Sequence, residues 1–231
     1  MRLQAFLARA GASPSRRKAE APILAGRVAV NGETASLGTT VTSQDEVTLD
    51  GSPVRLPDAH VYLALNKPPG VLTTLHDDRG RRTVADLMPD VPGLVSAGRL
   101  DRDTTGLLLL TNDGGLAHRI THPSSETEKE YRLTLQNPVP EEAIAALAAG
   151  PTLEDGKMHP PELSALHRRH RTTTLDLTIH EGRNRIIRRA CATVGLRLLS
   201  LHRIRVGPVA LGDLPEGEYR RLTPEELGAL R

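Results

Sequence analysis

An α+β fold is predicted for this 231-residue chain by three observations. Short runs with period-2 alternation are interleaved with stretches of helical period. The strand-like runs end in Asn-Gly, Asp-Gly or proline turns, the chemistry of antiparallel neighbours. A Pro- and Gly-containing stretch, GSPVRLPDAH, divides the chain near its first quarter. The expected organisation is a small unit over 1–51, a linker over 52–60 and a larger unit over 61–231.

Each element has a local reason. Leu3, Phe6, Leu7 and Ala10 follow helical spacing, and Gly11 then ends the helix. Ser13 and Pro14 have the character of an N-cap and a first helical position, which places Arg16, Arg17 and Lys18 in the opening turns of a second helix. Pro22 should kink or shorten that helix. GRVAVNG (26–32) and DEVTLDG (45–51) read as two strands with their turns. In the larger unit, strands are expected at VYLALNKPPG (61–70), 107–111, KEYRLTLQNP (129–138) and TTLDLTIHEG (173–182). Helices are expected at GLAHRITHP (115–123), PEEAIAALAAG (140–150) and NRIIRRACATVG (184–195), with further strand and helix in the tail.

Composition narrows the function classes. One cysteine, Cys191, excludes an intramolecular disulfide framework and suits a reducing compartment. No apolar run approaches the roughly 20 residues that span a bilayer, and the N-terminus lacks the apolar stretch of a signal peptide. A cytoplasmic protein without a membrane partner is expected, and a monomer. The net charge is only +2, yet 26 of the 30 basic residues are arginine. They cluster at Arg16–Lys18, Arg79–Arg82, Arg168–Arg171 and Arg183–Arg189. Arginine's planar fork suits phosphates and base edges, so a polyanionic partner is expected.

The stretch AGRLDRDTTGLLLLTNDGG (97–115) sets Arg99, Asp101, Arg102 and Asp103 against four leucines. Charges at the mouth of a buried strand must be paired, or they cost several kcal/mol, roughly, in lost hydration. Asp101-x-Asp103-x-Thr105 imitates a calcium loop only in part, because Thr105 and Asn112 stand where further ligands belong. The His118/His122 and His167/His170 pairs lack a third ligand at zinc-like spacing, so no metal is expected. Nucleophile-elbow, phosphate-loop and dinucleotide motifs are missing, and Cys191 lies on an apolar helix face. On the residues alone a structural turn ranks ahead of a catalytic acid.

The full motif reverses that ranking. AGRLDRDTTGLLLLTNDG resembles the signature of the RsuA/RluB/RluE/RluF family of ribosomal RNA pseudouridine synthases. SRRKAEAPILAGRVAVNG (15–32) resembles the small α-L RNA-binding module that precedes the catalytic domain in that family. LNKPPGVLTT, DDRGRRTVADLMP, LAHRITHPSSETEKEYRLTL and EGRNRIIRRACATVG resemble its further motifs, in the same order. The resemblance implies a catalytic domain with a mixed, mainly antiparallel sheet flanked by helices, and isomerisation of uridine to pseudouridine without a cofactor. Asp101 would be the catalytic aspartate attacking a flipped uridine, Tyr131 would pack on the base, and Arg188 would pair with the aspartate. Arg99 would help hold the target nucleotide out of its helix. Arg16, Arg17, Lys18, Arg183 and Arg185 would contact RNA, with ribosomal RNA or an assembly intermediate as partner. Asp103 is left as a capping residue. Two departures stand out: Ile186 where the family often has Gln or His, and Pro22 in the RNA-binding module. A non-catalytic RNA-binding protein of the same fold is the competing class, opposed by intact Asp101, Tyr131 and Arg188.

Overall fold

The computed structural model describes residues 1–230; Arg231, the last residue of the expected larger unit, lies outside them. Helix α1 (Leu3–Arg9) buries Leu3, Phe6 and Leu7 against Ile23, Val28, Val41 and Val47. Helix α2 is short, Glu20–Leu24. Ser15 rather than Ser13 caps the preceding turns, its Oγ accepting the Lys18 amide at 3.1 Å. Arg16, Arg17 and Lys18 therefore lie in those turns, exposed, and not in the helix. Pro22 is the third helical residue, where an amide has no intrahelical partner to lose, so the helix is shortened and not kinked.

Strands β1 (Val28–Val30), β2 (Glu33–Thr34), β3 (Val47–Leu49) and β4 (Ser52–Val54) form an antiparallel sheet in the order β2-β1-β3-β4. The start of the expected linker is thus a strand. Pro53 is tolerated because β4 is an edge, and Val54 and Leu56 pack on the same small core. This unit touches the rest of the chain at Gly93 (φ +70°), where a Cβ would lie 2.1 Å from the Arg9 carbonyl oxygen. An exposed Lys18–Asp78 pair at 2.8 Å adds little, because solvent screens it.

The larger unit is one sheet with helices against both faces. Its elements are β5 (Tyr62–Lys67), β6 (Val95–Ala97), β7 (Thr105–Thr111), α3 (Gly114–Thr121), β8 (Lys129–Gln136) and α4 (Glu141–Ala148). A small hairpin follows, β9 (Thr152–Leu153) with β10 (Gly156–Lys157). Then come β11 (Glu162–Arg168), β12 (Thr172–Ile179), α5 (Ile186–Thr193), β13 (Leu198–Val206), β14 (Val209–Ala210), β15 (Tyr219–Arg221) and α6 (Pro224–Ala229). The main strand order is β11-β12-β8-β13-β7-β5-β15, with β14 on β13 and β6 on β7. The β7–β13 pairing is parallel and the others in this sheet are antiparallel.

The four leucines of β7 are explained by this layering. Leu108 and Leu110 enter a core with Leu63, Leu65, Leu133, Leu135, Leu175 and the α4–α5 residues Leu147, Ile187 and Ala190. Leu107 and Leu109 face the other way, onto Ala64, Leu116 and Ile120 of α3, and Val206. The strand is covered on both sides, so it reads as a continuous apolar run. Asn112 and Asp113, which follow it, fasten two neighbours. Asn112 Oδ1 accepts the Val61 amide at 2.8 Å, and Asp113 caps α3 by accepting the Gly115 and Leu116 amides. Strand β11 carries no alternation that a sequence reading could use, because it is an exposed edge with a register shift between Ser164 and His167.

Candidate active site

Asp101 lies in the loop between β6 and β7, and its neighbours are fastened one by one. Thr73 Oγ1 donates to the Leu100 carbonyl at 2.8 Å and accepts the Leu100 amide at 3.3 Å. The Arg102 carbonyl accepts the Gly70 amide at 2.8 Å and the Lys67 ammonium at 3.3 Å. Arg188 Nη2 donates to the Asp103 carbonyl at 3.1 Å and to Thr104 Oγ1 at 3.0 Å. The Thr104 amide returns to the Asp101 carbonyl at 3.1 Å. A carboxylate held this way needs little reorganisation before it reacts.

Two arginines from α5 face it. Arg188 Nε lies 3.8 Å from Asp101 Oδ2 and has no hydrogen-bond partner among the described residues. Arg185 Nη1 lies 3.4 Å from the same oxygen. Arg185 occupies the N-cap of α5 in left-handed backbone (φ 49°, ψ 30°), a conformation costing about 1–3 kcal/mol in a non-glycine residue and typical of working sites. Asp101 keeps 29% of its side chain exposed, so it is paired and still reachable.

The registers align one residue from each of five strands beneath this loop. Lys67 is opposite Gly106, Gly106 is beside Arg203, Arg203 is opposite Tyr131, and Tyr131 is opposite Leu177. Gly106 (φ +99°) must be glycine, since a Cβ there would lie 2.2 Å from the Arg203 carbonyl oxygen. Lys67 is fully buried, its Nζ donating to the Pro68 carbonyl at 2.8 Å. Burial pulls its ammonium down to about 8, against the partial support of Asp103, Asp101 and Glu216. Arg203 is buried too and lies over the Tyr131 ring, its guanidinium carbon 6.0 Å from the centroid.

The structure brings together Asp101, Arg188, Arg185 and, one row below, Tyr131. Arg99 is exposed on the same loop and makes no hydrogen bond or ion pair among the described residues. Two expectations change. Asp103 does not cap a neighbouring amide; its side chain faces Arg185 and Arg188 at 3.5 Å, because α5 packs directly over this loop. Burial pushes its carboxyl upward, but its own backbone amide and those two arginines together hold it below the ordinary carboxylate range. Arg183, expected to contact RNA, is already engaged by its own chain. It pairs with Glu181 at 2.7 Å and Asp155 at 2.9 Å, and also donates to the carbonyls of Asp155, Gly156 and Lys157, which staples the β9–β10 hairpin. Arg189 joins the same Asp155 through two hydrogen bonds. Ile186 lies in the core, where a polar side chain would need a buried partner. Cys191 is likewise core, burial pushing its thiol up to about 12.

Sequence reasoning missed Lys67 and Arg203. A signal existed: Lys67 stands two residues after Leu65 and four after Leu63 in β5, and Arg203 two after Leu201 in β13, so each charge continues the core-facing parity of its strand. Among the described residues no group of three His, Cys, Asp or Glu is placed to hold a metal ion, and no helix is long and apolar enough to cross a membrane.

Comparison with known proteins adds independent findings. The model of the RNA pseudouridylate synthase family matches residues 61–193, and that of the S4 domain matches residues 1–47. The ribosomal large subunit pseudouridine synthase B of Bacillus subtilis is 41% identical over 234 residues, covering 100% of this chain and 95% of that protein. An uncharacterised RNA pseudouridine synthase of Mycobacterium tuberculosis is 45% identical over 236 residues, covering 100% and 92%. A crystal structure of a pseudouridylate synthase superposes with a TM-score of 0.71 at 36% identity, each chain covered completely.

Proposed function

Because this chain belongs to the RNA pseudouridylate synthase family and carries an S4 domain ahead of its synthase domain, we propose that it isomerises one uridine of ribosomal RNA, with Asp101 as nucleophile and the target base flipped out of its helix. The observation that carries the reading is the Asp101 carboxylate, fixed on both sides in its loop, facing two arginines and open to an incoming substrate. The relative from Bacillus subtilis, aligned over the whole chain, favours the large-subunit RNA.

Chemistry on a base requires taking it out of its stack, at a cost of a few kcal/mol or so, and holding it against aromatic or apolar surface. Tyr131 supplies that surface, beside Leu177 in the same row. Arg188 and Arg185 face the Asp101 carboxylate and orient it for attack on the ribose carbon. Arg99, exposed at the loop, is in place to fill the space the base leaves or to hold its phosphate. The exposed Arg16 and Arg17 dock the N-terminal unit on the RNA, with Lys18 beside them tied to Asp78.

The test is Asp101→Asn, assayed on ribosomal RNA lacking this modification, with pseudouridine mapped in both subunits' RNA. Wild-type protein should modify one site, and the variant should modify none while binding RNA within a few-fold of wild type. Turnover by the variant would refute the mechanism, and no product with wild type on either RNA would refute the substrate.

A further inference from the structure

Arg203 is a cation whose burial the fold does not explain. It is 2% exposed, and its Nε donates to the Leu107 carbonyl at 2.7 Å. Its Nη2 is buried without a hydrogen-bond partner, and no carboxylate pairs with it among the described residues. A guanidinium buried only to hold strands together would be expected to spend its whole fork on carbonyls or carboxylates, since an unspent buried donor is destabilising. The row around it deepens the anomaly. Lys67, two positions across, is a second buried cation satisfied only by carbonyls, and Gly106 places no side chain between them. Positive charge is therefore concentrated directly beside Tyr131, with no carboxylate bonded to either cation and only the more distant Asp101, Asp103 and Glu216 acting on Lys67.

We propose that Arg203 is a further catalytic residue, its free guanidinium arm receiving the negative charge that the uracil carries once its bond to the ribose breaks. The inference rests on the synthase reading above. In the first step a bond forms between an Asp101 carboxylate oxygen and C1′, and the N1–C1′ bond breaks with its electron pair remaining on the base. That pair spreads from N1 onto O2 and O4, and an N–H aimed at a carbonyl oxygen stabilises it. The base turns, C5 bonds to C1′ and the carboxylate leaves. The C5 proton is lost and N1 takes one up through solvent, so the sum is an isomerisation. Arg203 stays protonated throughout; it donates a hydrogen bond and transfers no proton. Such a donor acts where charge develops in a site closed to water, where it is worth most.

The experiment compares Arg203→Met and Arg203→Lys with wild type in single turnover, on RNA carrying either uridine or 5-fluorouridine at the target. Consumption of the target nucleoside is followed by mass spectrometry of digested RNA. Fluorine makes the departing uracil a more stable anion, so it should need the arginine less. On uridine, Arg203→Met should lose roughly 100- to 1,000-fold in rate, with Arg203→Lys intermediate and RNA affinity little changed. On 5-fluorouridine both losses should shrink by about tenfold or more. Equal losses on the two substrates would mean a structural role only and would overturn the proposal, as would wild-type rates on uridine. If Arg203→Met does not fold, the ratio for Arg203→Lys on the two substrates decides the question. Asp101→Asn, run alongside, separates the two readings. Turnover by it sinks the mechanism as a whole, whereas an inactive Asp101→Asn with a fully active Arg203→Met sinks only this inference.

Discussion

Replacing Lys67 by methionine should leave stability at neutral pH nearly unchanged but alter its dependence on alkaline pH. The folded ammonium titrates at about 8 and the unfolded one at 10.5. A difference of that size corresponds to ~3 kcal/mol, by which burial of the charge opposes folding below pH 8. Methionine has nearly the same shape and removes the penalty. It also removes a donor: the Pro68 carbonyl loses its partner, while the Arg102 carbonyl keeps the Gly70 amide. One orphaned carbonyl costs about 1–3 kcal/mol, so the two effects come close to cancelling.

The sign of the pH effect is set by proton counting. Between pH 8 and 10.5 the unfolded chain holds a proton on Lys67 that the folded one has released, so stability rises with pH there. Wild type should therefore gain about 2 kcal/mol relative to Lys67→Met between pH 8 and pH 9.5. Cys191 acts in the opposite direction, because its buried thiol resists ionisation, but it is common to both proteins and cancels in the difference. Urea denaturation at half-unit pH steps measures the two curves. Parallel curves across this range would refute the claim that Lys67 is buried as a costly cation.

Three further outcomes are expected. Gly106→Ala puts a methyl group 2.2 Å from the Arg203 carbonyl oxygen at φ +99°, and this should open the parallel β7–β13 pairing. A loss of ~3 kcal/mol or more, seen as a fall in Tm of roughly 10 °C by calorimetry, is the expected result; a shift of only a degree or two would show that the strands can part at little cost. Arg183→Gln should lower Tm and leave RNA affinity within about twofold, since its fork is already spent on the β9–β10 hairpin. A selective loss of RNA binding in a filter assay would restore Arg183 as a phosphate contact. Arg16→Gln with Arg17→Gln should weaken RNA binding and flatten the slope of log affinity against log salt by about 1.5, two phosphates' worth. An unchanged slope would remove this turn from the RNA-docking face.

What could be read in the sequence depended on whether a residue's neighbours were local. The strands β8 and β12 carry their alternation, and β7 its unbroken apolar run, in consecutive residues, and Asp113 caps a helix that begins beside it, so these were legible. The second helix was not, because the choice between Ser13 and Ser15 as cap turns on which serine finds an amide three residues on. Strand β11 was invisible for a related reason. An exposed edge strand has no buried side to impose alternation, and only its partner β12 fixes its register. For the site, the motif around Asp101 pointed to a single loop, but Arg183, Arg185 and Arg188 look alike in a row of basic residues. Their separation into a hairpin staple and two partners of the aspartate comes from the turn at Arg185, whose positive φ swings the start of α5 over the loop.

The same dependence explains why the two buried cations escaped a sequence reading and why they matter. Lys67 and Arg203 lie 136 residues apart and meet only through the register of β5, β7 and β13 on either side of Gly106. Neither is a sensible way to stabilise a sheet, since an apolar residue of similar volume would pack there without a desolvation cost. A fold that keeps both, and gives one an unspent N–H, carries a permanent opposition to its own stability. That opposition is useful only when an anion arrives. In the mechanism proposed above the flipped base would enter neutral and carry negative charge only while its bond to the ribose is broken, so a cationic floor there would favour the transition state over the bound substrate. The double layer of leucines in β7 is the other half of the arrangement: packed on both faces, it anchors the strand from which the Asp101 loop springs.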